Sequence, residues 1–131
     1  MRAGASVLSV ALCAAFLAGC SQSAASPVAT FSSPPNSGDA ARLSGSLTLE
    51  NGCLYLQSTE TNTRWLPVFR AESGPEWRDG NLVFGGVKFA DGSQVGLGGG
   101  ESNGSDSNFQ VPDVCDDSPR WRTFNVSAEA K

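Results

Sequence analysis

Residues 43–56 read LSGSLTLENGCLYL, and this stretch decides the fold class of the chain. Leucines alternate with polar or small residues on both sides of Asn51-Gly52, which is the pattern of half-buried β-strands. Asn-Gly is the strongest short hairpin signal, because both residues tolerate positive φ. A two-residue turn there places Leu49 opposite Leu54. Two residues further from the turn, Leu47 then faces Leu56, so the four leucines line one face of a predicted hairpin.

The rest of the chain continues this pattern in short segments. Further strands are predicted at Arg64–Phe69, Asn81–Phe84, Gly86–Phe89, Gln94–Leu97 and Trp121–Val126. Turn-forming residues separate them: Ser73-Gly74-Pro75, Asp79-Gly80, Asp91-Gly92 and the run Gly98–Gly104. Outside the first twenty residues no window has a helical period, so we expect an all-β barrel or sandwich of about five to six strands. This arrangement resembles the oligonucleotide/oligosaccharide-binding (OB) barrel.

Charge and residue inventory exclude several functions. The chain has 9 basic and 13 acidic residues, a net charge of −4, and no histidine. Nucleic-acid binding requires a basic face, and so does electrostatic docking on anionic lipid. The absence of histidine removes the commonest general base and the commonest zinc ligand. We therefore expect no nucleic-acid partner, no cofactor, no metal and no enzymatic activity.

The first twenty residues have the features of an export signal. Arg2 gives a short positive start, and the apolar stretch Val7–Phe16 is too short to span a bilayer. Leu17-Ala18-Gly19-Cys20 follows it and resembles the lipobox of bacterial lipoproteins. That resemblance implies cleavage after Gly19, lipidation of the Cys20 sulfur, and attachment to a membrane of the cell envelope, facing the periplasm or the exterior. The alternative is an ordinary secretory signal that is cleaved near Ala18 or Ala25.

Three regions are predicted on this basis: a signal peptide over 1–19, a lipidated cysteine with a tether over 20–41, and a β domain over 42–131. The tether reads SQSAASPVATFSSPPNSGDAA over residues 21–41, a composition that cannot bury enough apolar surface to order itself. We expect it to be disordered and to hold the domain just clear of the lipid headgroups.

Two cysteines remain for a disulfide. Cys13 lies in the segment that cleavage would remove, and Cys20 would be alkylated, which leaves Cys53 and Cys115. In an oxidising compartment these two are expected to pair and to close a long loop. A domain of about 85 residues is marginally stable without such help. The bond would tie the first hairpin turn to the loop before the last strand.

Two other motifs favour ordinary structure over a ligand site. Gly96–Gly100 is rich in glycine like a phosphate-binding loop, but Glu101 follows it and no helix does, so we expect a sharp bend or bulge at a barrel corner. Asp113, Asp116 and Asp117 could supply oxygen ligands to calcium, but their spacing does not match the EF-hand. An acidic, solvated loop is the preferred interpretation, and calcium binding is left open.

The aromatic and acidic residues supply the remaining candidates. Trp65, Trp121, Tyr55 and Phe69 are expected in the core, whereas Trp77 lies in an apparent loop and is the candidate ligand contact. A pair of carboxylates among Glu72, Glu76 and Asp79 would need a cleft for glycoside hydrolysis, which so small a domain rarely encloses.

Two functions are compatible with these observations. The preferred hypothesis is an envelope lipoprotein whose non-catalytic domain binds an envelope protein or a glycan. The alternative is a small envelope enzyme, or an inhibitor of one, that acts through the exposed acidic loops, with Glu101 and the three carboxylates around Trp77 as its candidates.

Overall fold

The computed structural model of the chain describes residues 26–33, 40–102 and 108–129, together with Gly4. The regular secondary structure of the described part is β-strand, apart from one 3-10 turn at Ala71–Ser73, and these ranges contain no α-helix. The strands, in chain order, are β1 (Ala29–Phe31), β2 (Ala41–Glu50), β3 (Cys53–Ser58), β4 (Arg64–Arg70), β5 (Glu76–Arg78), β6 (Asn81–Phe84), β7 (Val87–Ala90), β8 (Gln94–Ser102), β9 (Phe109–Gln110) and β10 (Arg120–Ala128).

The predicted hairpin forms in the predicted register. Strands β2 and β3 are antiparallel, with Leu49 opposite Leu54 and Leu47 opposite Leu56. Asn51 and Gly52 both have positive φ, 50° and 80°, as a tight two-residue turn requires. The sequence prediction is confirmed here because turn geometry and apolar alternation specify the same pairing.

Five strands close into a small barrel. Their order around it is β2, β3, β4, β10 and β8, and the ring closes because β8 pairs with β2 while β4 pairs with both β3 and β10. Only the β4–β10 pair of this ring is parallel. Outside the ring, β1 lies parallel to β4, and β9 lies antiparallel to β1. The prediction of a small all-β barrel or sandwich tied by a disulfide is confirmed, and the structure takes the barrel form.

A separate three-stranded sheet of β5, β6 and β7 closes one end of the barrel. Leu82, Phe84 and Phe89 of this sheet belong to the same buried cluster as the barrel interior. The rings of Phe69 and Phe84 have centroids 6.0 Å apart, which joins β4 to the small sheet. The barrel core consists of Leu43, Leu47, Leu54, Leu56, Phe69, Val95, Leu97 and Trp121.

The prediction of a disordered tether over 20–41 is wrong for part of that segment. Residues 29–31 form β1, with Ala29 and Phe31 almost fully buried. They are ordered because β1 fits between β4 and β9, and Phe31 packs edge-on against Phe124 with ring centroids 5.3 Å apart. The folded domain therefore includes residues 26–33, which the predicted boundary at 42 leaves out. Residues 20–25 and 34–39 lie outside the described residues.

The glycine run also differs from its prediction. The structure continues β8 through Gly98, Gly99 and Gly100 instead of turning there. A bulge does occur, but on the partner strand β10, between Thr123 and Asn125. A Cβ atom on Gly99 would overlap the main-chain oxygen of Arg122. Glycine is needed here because the two strands approach too closely for a side chain.

Candidate functional site

The residues that would carry lipidation cannot be compared with the structure. The predicted signal peptide over 1–19 and Cys20 lie outside the described residues, apart from Gly4. Within the described residues, no helix is long and apolar enough to cross a membrane.

One outer face of the barrel is covered by the chain itself. Cys53 and Tyr55 on β3, with Leu66 and Val68 on β4, form a second buried cluster on the side opposite the barrel interior. Strand β1 and the segment from β9 to Cys115 lie over it, and they contribute Ala29, Phe31, Phe109 and Val111. We call this segment, residues 108–119, the covering arm. In OB barrels the face of the second and third strands binds oligonucleotides or oligosaccharides. Here β3 and β4 are those strands, and their face is filled.

The covering arm is fastened near the start of β3. Cys53 and Cys115 form a disulfide with an S–S distance of 2.00 Å and Cα atoms 5.3 Å apart, so the predicted pairing is confirmed. The main-chain N–H of Asp116 donates a hydrogen bond to the Tyr55 hydroxyl oxygen at 3.0 Å. The guanidinium of Arg64 lies 4.1 Å from the centre of the Tyr55 ring and pairs with the carboxylates of Glu50 and Asp116. Covalent, polar and cation–π contacts thus converge on one point.

The acidic loop around Cys115 does not form a cluster of metal ligands. Asp116 pairs with Arg64 and also accepts a hydrogen bond from the Ser118 N–H at 2.9 Å. Asp113 and Asp117 are exposed. Among the described residues, no group of three or more His, Cys, Asp or Glu side chains could hold a metal ion.

The three carboxylates considered for hydrolysis have separate roles. Glu72 accepts a hydrogen bond from the Ser33 N–H at 3.2 Å and lies 3.7 Å from Arg70 Nε. Its own main-chain N–H, followed by that of Ser33, lowers the pKa of Glu72. Glu76 pairs with Arg78 on the same strand, and Asp79 occupies the next turn with φ 53°. The arrangement is that of surface ion pairs rather than of an acid and a base across a cleft.

Trp77 lies in β5, so its prediction as a loop residue is wrong. Its side chain is half-buried and packs against the barrel core. The ring is held there because Trp77 pairs with Leu82, a buried residue of β6. Its exposed edge remains the part that a ligand could touch.

The other aromatic residues are in the core, as predicted. Trp65 and Trp121 pack edge-to-face with centroids 5.6 Å apart. They lie near the starts of β4 and β10. Tyr55 and Phe69 are buried, in the covered face and the barrel interior respectively.

A shallow groove lies where the described chain begins. Ser26, Val111 and Pro112 are shared by its two adjoining lobes, which have volumes of about 460 and 480 Å³. One lobe extends to Val28 and Pro75, and the other extends past Gly52 to Val114. We call this feature the Ser26 groove. No sequence pattern predicts this groove, because its walls come from the supposed tether and from the covering arm, which no local periodicity connects.

Comparisons with protein-family models, with curated proteins and with solved structures find no significant match.

Proposed function

We propose that the chain is a lipoprotein of the bacterial cell envelope, anchored through Cys20, with a non-catalytic domain that binds an envelope partner. The observation that carries the proposal is Leu17-Ala18-Gly19-Cys20 directly after a short apolar stretch. The bond between the two remaining cysteines supports it, since such bonds persist mainly in oxidising compartments. Two acyl chains would hold the protein stably, because each buried CH₂ adds about 0.8 kcal/mol.

The contacts of the domain favour binding over catalysis. The acidic side chains weighed as catalytic groups are engaged in ion pairs and turns, and the groove is shallow and largely apolar. Between the two partner classes, an envelope protein is favoured over a glycan. The β3–β4 face, where an OB-like barrel would take a sugar, is already filled by the covering arm and β1.

The anchor is tested by intact mass and detergent partitioning. Wild-type protein made in a bacterial host is expected to begin at residue 20 and to carry two or three acyl chains. Cys20→Ala is expected to lose the added mass and to leave the detergent phase. Cys13→Ala is the matched control, because that cysteine lies in the segment that cleavage removes. A wild-type protein with an unmodified Cys20 thiol would contradict the proposal.

The binding role is tested with a soluble fragment of residues 21–131. This fragment retains β1, which a fragment limited to the predicted domain over 42–131 would lack. The immobilised fragment is expected to retain one specific protein from an envelope extract. Trp77→Phe keeps an aromatic ring on the barrel core and removes the exposed edge of the indole. It is expected to lower the amount of partner protein that the fragment retains. Failure to retain any specific protein or glycan under several salt conditions would count against a binding module.

A further inference from the structure

The domain is attached very close to the proposed anchor. Ser26 is fixed to the fold, because its hydroxyl accepts a hydrogen bond from the Val28 N–H at 3.3 Å. The neighbouring Pro27 is buried, and its carbonyl accepts a hydrogen bond from the Leu54 N–H at 3.1 Å. Only the residues between Cys20 and Ser26 separate the lipid from the folded domain. Even fully extended, that segment reaches about 20 Å.

This reach restricts which side of the domain can meet the membrane. A compact domain of about 100 residues has a radius of gyration near 13 Å and a diameter of roughly 33 Å. We call the segment between Cys20 and Ser26 the leash. The leash is shorter than that diameter, and a path over the surface from Ser26 to the opposite side of the domain is longer still. The side of the domain opposite Ser26 therefore cannot rest on the bilayer, and the surface surrounding Ser26 stays within about 20 Å of it, whatever conformation the intervening residues adopt.

The surface at that position is apolar at its centre. Ser26 lines both lobes of the groove, beside Val111 and Pro112. Val114 stands at the rim with 59% of its side chain exposed, next to Gly52 of the hairpin turn. Among the described residues, the only other large hydrophobic side chain so exposed is Val87, at 53%, in the small sheet.

We infer that the Ser26 groove and Val114 form a membrane-docking surface that rests on the lipid bilayer when Cys20 is acylated. The inference rests on the proposed lipid anchor. The contact is apolar rather than electrostatic, because Asp113, which lines one lobe of the groove, and Asp117, three residues after Val114, are exposed and would be repelled by anionic headgroups. A weak contact is enough for docking, because the lipid anchor and the short segment after it keep this surface at a high effective concentration near the bilayer.

The test attaches the anchor chemically. In the mature chain, residues 20–131, the Cys20 thiol is free for coupling to a maleimide that carries one alkyl chain, while Cys53 and Cys115 are already bonded. A single chain gives only marginal, reversible membrane binding, so a contribution from the domain becomes measurable. Partitioning is measured on phosphatidylcholine vesicles, which carry no net charge.

Val114→Asp is expected to weaken partitioning about three- to tenfold, the size expected for losing the burial of part of a valine side chain. Val87→Asp adds the same charge at a site of similar exposure and is expected to leave partitioning unchanged. A twenty-residue Gly/Ser insertion between Ala25 and Ser26 is expected to shrink the effect of Val114→Asp. Unfolding midpoints in urea are measured for each variant, so that a folding defect is recognised.

Equal effects of the two substitutions, or no effect of Val114→Asp, would overturn the docking surface. This result does not depend on whether cells acylate Cys20, because the alkyl chain is added in vitro. An unmodified Cys20 in the cell would instead defeat the proposed anchor and leave the measured contact as a property of the domain.

Discussion

The outer face of β3 and β4 carries large buried side chains, whereas the outer face of β8 carries glycines. On the first, Tyr55 and Leu66 are sealed beneath the covering arm. On the second, Gly96 and Gly98 lie under the side chains of Arg42 and Asn125. Both faces are covered, but one is covered by apolar packing and a covalent bond and the other by single polar side chains.

On the second face, a single arginine side chain lies over a glycine and reaches the next strand. Arg42 reaches from β2 over Gly96 of β8 to β10, where it donates hydrogen bonds to Glu129 Oε1 at 2.6 Å and to Ser127 Oγ at 3.1 Å. The Ser44 hydroxyl donates to the same carboxylate oxygen at 2.9 Å. The difference teaches that the β3–β4 face is held by apolar burial and a covalent bond, while the glycines of β8 set how closely the strands approach.

Removal of the disulfide is the change with the largest expected effect. The double variant Cys53→Ala with Cys115→Ala is expected to lose about 4 kcal/mol of unfolding free energy, because a closure across 62 residues no longer restricts the unfolded chain. Urea denaturation measures it. Dithiothreitol should destabilise the wild type similarly and leave the variant unaffected. A loss below about 1 kcal/mol would show that packing alone holds the covering arm.

Gly99→Ala tests the close approach of β8 to β10. The new Cβ would meet the main-chain oxygen of Arg122, which cannot move without opening β8 from β10, so a loss of about 1–3 kcal/mol is expected. Gly96→Ala is the matched control, since its obstacle is the movable guanidinium of Arg42. Its expected cost is about 1 kcal/mol or less. Equal thermal shifts for both would refute the distinction between backbone and side-chain obstacles.

Tyr55→Phe tests the hydrogen bond between the covering arm and β3. It removes the hydroxyl that accepts the Asp116 N–H and keeps the ring beneath Arg64, so a loss of about 1 kcal/mol is expected in urea titrations. In the protein without the disulfide the loss should be smaller, because Asp116 is then no longer held in place. An undiminished effect would indicate that the two contacts act independently.

The smallest expected effect is on how stability depends on pH, through the contacts of Arg42 and Ser44 with Glu129. The Arg42 side chain, and then the Ser44 hydroxyl, lower the pKa of Glu129 below its ordinary value of 4.5. The folded state therefore gains stability above pH 4.5 that is lost as the pH falls through the lower folded-state pKa. Glu129→Gln should remove this part of the pH profile and cost less than about 1 kcal/mol at pH 7, since Arg42 is largely exposed. Arg42→Ala should remove the same part, and a variant profile parallel to that of the wild type would contradict the assignment.

The parts of the fold predicted from the sequence are those specified by nearby residues. The Asn51-Gly52 turn and its flanking leucines gave both the hairpin and its register. Elimination among four cysteines gave Cys53 with Cys115, without any knowledge of the fold. Strand β4 was predicted from its apolar run. The burial of both of its faces was not predicted.

The parts that were missed depend on distant partners. Strand β1 lies in a Ser- and Pro-rich segment, and only its pairing with β4 and β9 orders it. The glycine run has no side chains that could show a period of two, so its strand is evident only beside β10. The Ser26 groove was missed for the same reason, since one wall was assigned to the tether and the other to an acidic loop far along the chain.

The position of β1 has a consequence for the order of events during synthesis. A chain made from its N-terminus presents β1 early, but β4 comes later, and β9 and β10 come close to the end. Until β10 is available, the edges of β4 and β8 that close the barrel stay unpaired, and open edges invite association with other chains. Products that stop short of Arg120 should therefore aggregate, because they lack the strand that pairs with both of these edges.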